Sequence, residues 1–278
     1  MIEFIQETLL LLPFLFATYL VLEAVEAHAG GALEKFLERA RSVGPFAGAL
    51  AGAIPQCGVS AAAASLYAGG VVTVGTLLAV FLSTSDELLP VLVSKQVPVS
   101  LMAKIVGLKI VFAVAVGFTA NGVLAAMRHL RRTVTVGELC AHSRCGCHAH
   151  KGILVPALIH TLEIFFFIVL VSGAIELCLH FFGADSLLQL RLTQPVLGEI
   201  VAGALGLIPN CCVSVAAAEL YCQGAMSGGA LMASSFAGSG LGLLVLFRTN
   251  RSLGENLAIL ATVWVLGVVL GLLTGGFL

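Results

Sequence analysis

A short polar stretch in the middle of the chain concentrates the side chains that bind soft metals. Its six candidate metal ligands are Cys140, His142, Cys145, Cys147, His148 and His150. Thiolates and imidazoles suit zinc, cuprous copper and thiophilic metalloids. The ligands are too closely spaced for a zinc finger, so we interpret the stretch as a flexible metal-capture loop. The alternative is a solvated basic linker in which cysteine and histidine are incidental.

Two motifs place a cysteine two residues after a proline inside apolar sequence. Proline interrupts a helix, and in lipid the freed carbonyls need protein or water as partners. We therefore predict helix breaks at Pro55 and Pro209, with thiol, hydroxyl and amide groups that bind a substrate. The predicted substrate-binding residues are Gln56, Cys57, Ser60, Asn210, Cys211, Cys212 and Ser214. Plain proline kinks with small buried cysteines are the alternative.

Ionisable groups interrupt two other apolar runs. Asp86 and Glu87 follow the hydroxyl-rich segment 83–85, and His160 lies three residues before Glu163, on one face of a helix. Such groups are costly at membrane depth and usually line a pathway or carry protons. We predict that these four residues couple transport to protons or cations. A capped helix start at the membrane surface would explain the first pair, and a mutually satisfied buried pair would explain the second.

The elements that hold these groups must be membrane helices. Hydrophobic residues make up 59% of the 278 residues and charged residues only 10%, whereas soluble domains have roughly 25% charged residues. The mean hydropathy is +1.06, so the main solvent is lipid. The net charge of −1 gives no general attraction to nucleic acid.

The chain is an internal duplication. Residues 55–67 and 209–221 are identical at nine of thirteen positions without a gap, an offset of 154 residues. The offset persists downstream, where Gly75 aligns with Gly229 and Ser85 with Ser239. The second copy has no acid at the positions of Asp86 and Glu87. Duplicated halves are a common plan of secondary transporters, which bind their substrate where the repeats meet.

The distribution of basic residues predicts the orientation. Segment 128–152 contains five Lys or Arg residues and one acid, and the loop 28–42 contains three Lys or Arg residues. The positive-inside rule places both in the cytoplasm and both termini outside. This requires an odd number of crossings on each side of the central loop. We predict an inverted five-plus-five arrangement, with repeats at 1–127 and 153–278 and a cytoplasmic loop at 128–152.

Three stretches resemble one family of membrane proteins. Residues 52–58, 75–87 and 206–211 are similar to the ten-helix heavy-metal exporters, whose members carry labels such as manganese transporter or arsenic efflux protein. The resemblance covers nearly the whole chain and implies a carrier in the bacterial inner membrane. It leaves the substrate open. Manganese prefers oxygen ligands, whereas arsenite, zinc and cadmium prefer sulfur and imidazole.

We therefore expect an all-α polytopic membrane protein that exports a heavy-metal ion or metalloid by alternating access with proton coupling. No GxxxxGK[ST] nucleotide-binding motif is present. We expect no enzymatic activity and no cofactor, because the metal is the substrate. The partners are the bilayer, the substrate and, as an option, further copies of the chain. Two alternatives are a membrane thiol oxidoreductase, using Cys57 with Cys211 or Cys212, and a metal-sensing scaffold.

Overall fold

A computed structural model describes residues 43–54, 57–85, 88–127, 194–209 and 211–277, with helical positions inside 13–20 and 158–170. It gives only the backbone of Cys57, Pro90, Met127, Cys211 and Cys212. All elements in these residues are helical. The first half contains α1 (Val43–Gly52), α2 (Cys57–Ala68), α3 (Val74–Ser83), α4 (Leu88–Ser94) and α5 (Val99–Met127). The second contains α6 (Leu197–Gly206), α7 (Cys211–Cys222), α8 (Gly228–Ala237), α9 (Gly242–Thr249) and α10 (Leu253–Thr274), followed by a 3-10 turn at Gly275–Phe277.

Helices α6 to α10 repeat α1 to α5 at the offset found in the sequence. Each begins 154 residues after its counterpart. The turn and the N-cap that precede α3 also recur before α8. The turns before α3 and α8 contain Gly70 and Gly224 at φ angles of 71° and 74°, a region that glycine adopts without strain. Thr73 and Ser227 then cap α3 and α8, and each hydroxyl accepts a hydrogen bond from a backbone amide of the first turn.

Three segments within the described residues are long and apolar enough to cross a bilayer. They are Val99–Ala126, Gly228–Thr249 and Leu253–Phe277. The first and last segments expose large apolar side chains, including Val111, Phe118 and Val265, which is expected where lipid is the solvent. The middle segment contains α8 and α9 and is mostly buried. The protein is therefore a multi-pass helical membrane protein.

Helices α1 and α2 form a hairpin. Gly44 at the start of α1 lies against Thr76, and Gly52 at its end lies against Ser83, so α1 runs parallel to α3. Because α2 joins the end of α1 to the start of α3, it must run back in the opposite direction. Helices of 10 and 12 residues are about 15–18 Å long, roughly half of the hydrocarbon thickness. The hairpin therefore begins and ends beside the start of α3, and its tip lies beside the end of α3 at Ser83.

Helices α3 and α4 make one interrupted crossing, and α5 returns beside it. Along α5, Asn121 and Gly117 lie against Gly75, near the start of α3, while Lys109 reaches Thr84 at the interruption. The part of α5 before Lys109 continues past the interruption, where Ile105 shares a buried cluster with the α4 leucines. The second half repeats this arrangement, with Gly271 of α10 against α8 and Gly206 of α6 against Ser234.

The two halves interlock. Helix α2 packs on α9 of the other half, and α7 packs on α4. At the ends of these contacts, Tyr67 donates a hydrogen bond to Glu255, and Lys95 donates one of 2.7 Å to Glu219. The second bond raises the pKa of the Lys95 ammonium. The base of each hairpin, meaning its open end, therefore lies beside the end of the other half's interrupted helix that is farthest from the interruption.

Candidate functional site

The interruptions and the hairpin tips meet at one level of the molecule. Gly52 and Ser83 mark the ends of α1 and α3, and Gly206 lies against Ser234 and Gly238 at the corresponding point of the second half. We call the described residues within 52–60, 83–88, 206–214 and 234–242 the central region. The hairpin helices stop at Gly52 and Gly206 and resume at Cys57 and Cys211.

A small cavity lies in the central region, between the two halves. Its volume is about 10 Å³, which is room for about one water molecule. Its wall combines the interruption after α3 with the tip of the second hairpin and the end of α8. The hydroxyl residues in this wall are Thr84, Ser85, Ser214, Ser234 and Ser235. The cavity wall thus contains several polar groups although the surrounding helices are apolar.

The hydroxyls at the α3 interruption donate to backbone carbonyls. Thr84 Oγ1 donates to the Val80 carbonyl at 2.7 Å, and Ser85 Oγ donates to the Ser83 carbonyl at 3.2 Å. The Val80 carbonyl also accepts the Thr84 amide, so the Thr84 hydroxyl gives it a second hydrogen bond at the end of the helix. Because each hydroxyl has a single proton, its oxygen retains lone pairs for another group. The oxygens can therefore accept a hydrogen bond or coordinate a cation.

Lys109 ties the two halves together behind this cavity. Its side chain is fully buried, at 0% exposure. The ammonium donates to the Thr84 carbonyl of the first half, and to the carbonyl and hydroxyl oxygens of Ser235 at 2.8 and 2.7 Å in the second half. It also lies 5.9 Å from the centre of the Phe236 ring, within cation–π range. Lys109 thus contacts two cavity residues through the wall.

Lys109 was not among the functional residues predicted from the sequence. The signal was available, since a lysine inside the apolar run of α5 is a functional-site candidate by its cost alone. The distribution of basic residues that predicted the orientation gave no indication of a buried lysine at this position. What the sequence did not provide is the contact with Ser235, 126 residues away.

The two copies of the central region differ chemically. The position of Lys109 is occupied by buried Val263 in the second half, and the position of Leu88 by Gly242. Gly242 allows tight packing, because a Cβ there would lie 2.6 Å from Phe81 and 2.9 Å from Ser60. In the other copy the equivalent pair is Leu88 and Ser214, and both of these residues line the cavity.

Two of the predicted substrate-binding side chains are described, and both belong to the central region. Ser60 is fully buried in the close contact of α2 with α9, and Ser214 lines the cavity. The two serines belong to different parts of the central region, Ser60 to the packing of α2 on α9 and Ser214 to the cavity wall. Cys57, Cys211 and Cys212 open α2 and α7, but their side chains lie outside the described residues. Pro209 lies in the described link before α7.

The other predicted residues lie outside the part of the chain that the structure describes. Those of the two motifs are Pro55, Gln56 and Asn210, and the coupling candidates are Asp86, Glu87, His160 and Glu163. The whole loop cluster of Cys140, His142, Cys145, Cys147, His148 and His150 lies outside as well. Within the described residues, no group of three or more His, Cys, Asp or Glu side chains is placed to hold a metal ion.

One buried acid lies away from the central region. Glu199 is 5% exposed in the first turn of α6, at the base of the second hairpin. Its Oε1 lies 3.5 Å from the Ser227 hydroxyl at the start of α8, and its Oε2 has no hydrogen-bond partner among the described residues. The carboxylate therefore faces the amino ends of two parallel helices, where a negative charge is favoured.

A comparison with known families agrees with this architecture. Residues 8–197 match the model of a family described as "Putative, 10TM heavy-metal exporter". This match spans the first repeat, the central loop and the start of the second repeat. It confirms the resemblance seen in the sequence. No curated protein and no solved structure is significantly similar to the chain. Because the match covers more than half of the sequence, the chain belongs to the ten-helix heavy-metal exporter family.

Proposed function

We propose that the chain is a secondary transporter that exports a heavy-metal ion or a metalloid. The observation that carries the proposal is the hydroxyl-lined cavity of the central region, where the tip of the second hairpin meets the interruption after α3 and the end of α8. Irregular backbone at membrane depth persists only where protein or a water-filled cavity surrounds it, and transporters place substrate sites there. Membership in a heavy-metal exporter family gives the substrate class.

The transport cycle is alternating access between inverted repeats. Two contacts support the inversion. Tyr67 at the base of the first hairpin bonds Glu255 in the first turn of α10, shortly after α9 ends, and Glu219 at the base of the second bonds Lys95, directly after α4 ends. Since α3 and α4 together connect these two levels, the hairpins enter from opposite sides. Movement of one hairpin would then open the cavity toward one side at a time.

The proposed substrate-binding groups are oxygens of the cavity wall and sulfurs of the cysteines at the start of α2 and α7. Ser214 follows Cys211 by three residues in the sequence, a spacing typical of two residues that share a helix face. Oxygen ligands would serve manganese, whereas the thiols of Cys57, Cys211 and Cys212 would serve arsenite, zinc or cadmium. The loop at 140–150 would raise the local concentration of a thiophilic substrate.

The proposed location is the inner membrane of a bacterium, with the central loop in the cytoplasm and both termini outside. Proton coupling through Asp86, Glu87, His160 and Glu163 remains part of the proposal, since the sequence contains no nucleotide-binding motif. The inversion requires an odd number of crossings in each half. The interrupted helix and the returning helix would be two, and the apolar segment that the sequence predicts before each hairpin would be the third.

A growth screen tests the export function. A strain lacking the gene is grown over graded manganese, zinc, cadmium and arsenite, with the chain or an empty vector restored. We expect the chain to raise the tolerated concentration of at least one of these substances. Ser214→Ala should remove most of that gain at equal protein level in the membrane, because it deletes a cavity oxygen. Equal growth of the chain and the empty vector on all four would contradict the proposal.

A further inference from the structure

The Lys109 ammonium occupies a site made of oxygen atoms from both halves. The described ligands are the carbonyls of Thr84 and Ser235 and the Ser235 hydroxyl, with two of the contacts at 2.7 and 2.8 Å. These are the distances of charge-assisted hydrogen bonds. Carbonyl and hydroxyl oxygens are also the groups that replace the hydration shell of an alkali cation inside a membrane protein.

The position of this site is the place where a coupling ion is usually bound. Transporters with inverted repeats bind sodium or protons at unwound backbone near the bilayer midplane, with carbonyls at helix carboxyl ends as ligands. The Thr84 carbonyl belongs to the C-cap of α3, and Ser235 lies in the last turn of α8. Both helix ends direct the negative ends of their dipoles toward the ammonium.

Burying the Lys109 ammonium costs free energy, and the packing of the helices does not require a charged side chain at this position. A lysine at membrane depth costs several kcal/mol, and the second copy fills the equivalent position with Val263, which is also fully buried. The fold therefore accommodates an apolar side chain at this place in one copy. The charge at Lys109 is used in the other copy, where it joins the two halves across the cavity wall.

We propose that Lys109 is a built-in cation that takes the place of an alkali coupling ion in an oxygen site between the two halves. The site would bind sodium or potassium if the ammonium were removed. In the natural protein the lysine excludes these ions, so transport does not depend on a sodium gradient. This inference deepens the proposed export function, and its transport consequence rests on that function. The binding property itself does not.

Thermal unfolding of the purified full chain tests the binding property without any transport assay. Unfolding is followed in detergent with sodium chloride, potassium chloride or choline chloride at equal ionic strength. For Lys109→Ala, we expect a midpoint higher by roughly 3 °C in sodium or potassium than in choline, at an ion concentration about ten times the dissociation constant. The natural protein should unfold at the same temperature in all three salts. Lys104→Ala, an exposed position on the same helix, is the matched control and should also show no difference.

Two results would overturn the proposal. One is a natural protein that sodium or potassium stabilises relative to choline, because the lysine would then not exclude the ion. The other is a Lys109→Ala variant that responds equally to all three salts. Lys109→Ser is the second variant, since its hydroxyl adds an oxygen to the vacated site, and the same ion-specific rise is expected. If neither variant folds, the result for the natural protein still decides. A protein that passes these tests but exports nothing would refute the proposed function and leave the cation site intact.

Discussion

At the scale of single residues, the central region satisfies its polar groups with one another. Thr84 shows the pattern, because its amide and its hydroxyl both donate to the Val80 carbonyl while its own carbonyl accepts from Lys109. An unsatisfied backbone group in lipid would cost several kcal/mol. Ser239, equivalent to Ser85, is the exception in the described residues, since its buried hydroxyl has no partner there. These interactions keep the interruptions stable and leave acceptor oxygens beside the cavity.

Ser214 provides the test of the cavity at this scale. We expect Ser214→Ala to weaken apparent substrate affinity roughly five- to tenfold, because one lost buried polar contact is worth about 1–1.4 kcal/mol. The measurement is transport rate against substrate concentration in vesicles with equal amounts of protein. Thr119→Val is the control, because Thr119 is exposed on α5 and its hydroxyl bonds only its own helix in the described structure. Equal losses in both variants would remove Ser214 from the site.

Residue types alone predicted part of this site. The repeated motif led to Ser214, and the structure places it in the cavity wall. Ser60, identified by the same motif, lies in a closed contact because Gly242 lets α9 approach it. A repeat in sequence predicts equivalent positions, but the size of the facing side chain decides whether space remains. That facing residue comes from the other half of the chain.

At the scale of helices, glycines determine how closely the elements pack. A Cβ added at Gly117 would lie 2.7 Å from Pro45 and 2.8 Å from the Gly75 carbonyl. The equivalent Gly271 is equally close to Gly229 in the second half. Small residues at helix contacts let membrane helices approach closely where lipid offers no hydrophobic driving force. Both copies therefore hold their interrupted helix against the returning helix in the same way.

Gly117→Ala should lower stability for this reason. We expect a loss of about 1–3 kcal/mol from overpacking, measured as a lower unfolding midpoint of the purified protein in detergent. Gly122→Ala on the same helix is the matched control, since nothing lies within 4 Å of the added carbon. The control should unfold at or slightly above the natural midpoint, because alanine favours the helix. A destabilised control with an unaffected Gly117→Ala would contradict the packing described here.

Hydropathy predicted the apolar segments but could not tell a short crossing from a hairpin arm. Helices α1 and α2 are apolar and about half a bilayer long, which fits either arrangement. The distinction comes from contacts of α1 with α3, where Gly44 and Gly52 face Thr76 and Ser83, two turns apart on the same helix. The direction of packing is a property of tertiary structure, and no residue pattern along one segment encodes it.

At the scale of the whole molecule, the two copies interlock instead of packing as separate bundles. Each hairpin packs on the interrupted helix of the other half, through α2 with α9 and α4 with α7. A change at one hairpin therefore reaches both copies of the central region. The sequence predicted the duplication because nine of thirteen motif positions are identical. It could not predict the exchange of partners, since both halves are apolar throughout.

The proposed inversion predicts the sidedness of the chain. Reporter fusions are made after Leu278 and within residues 135–150, using one enzyme active only in the cytoplasm and one active only outside. The central loop should report the cytoplasm and the fusion after Leu278 the outside, because the basic residues cluster in the loops that remain inside. If both fusions report the same side, the second half crosses an even number of times and the repeats are not inverted.

Uptake by everted membrane vesicles tests the export function most directly. Export from the cell becomes uptake in these vesicles, so energised vesicles containing the chain should accumulate at least one of arsenite, manganese, zinc or cadmium above vesicles without it. Ser214→Ala vesicles with the same amount of protein should show most of that uptake lost at low substrate concentration. Accumulation that equals the empty vesicles for all four substances would contradict the account, whatever the growth phenotype of the cells.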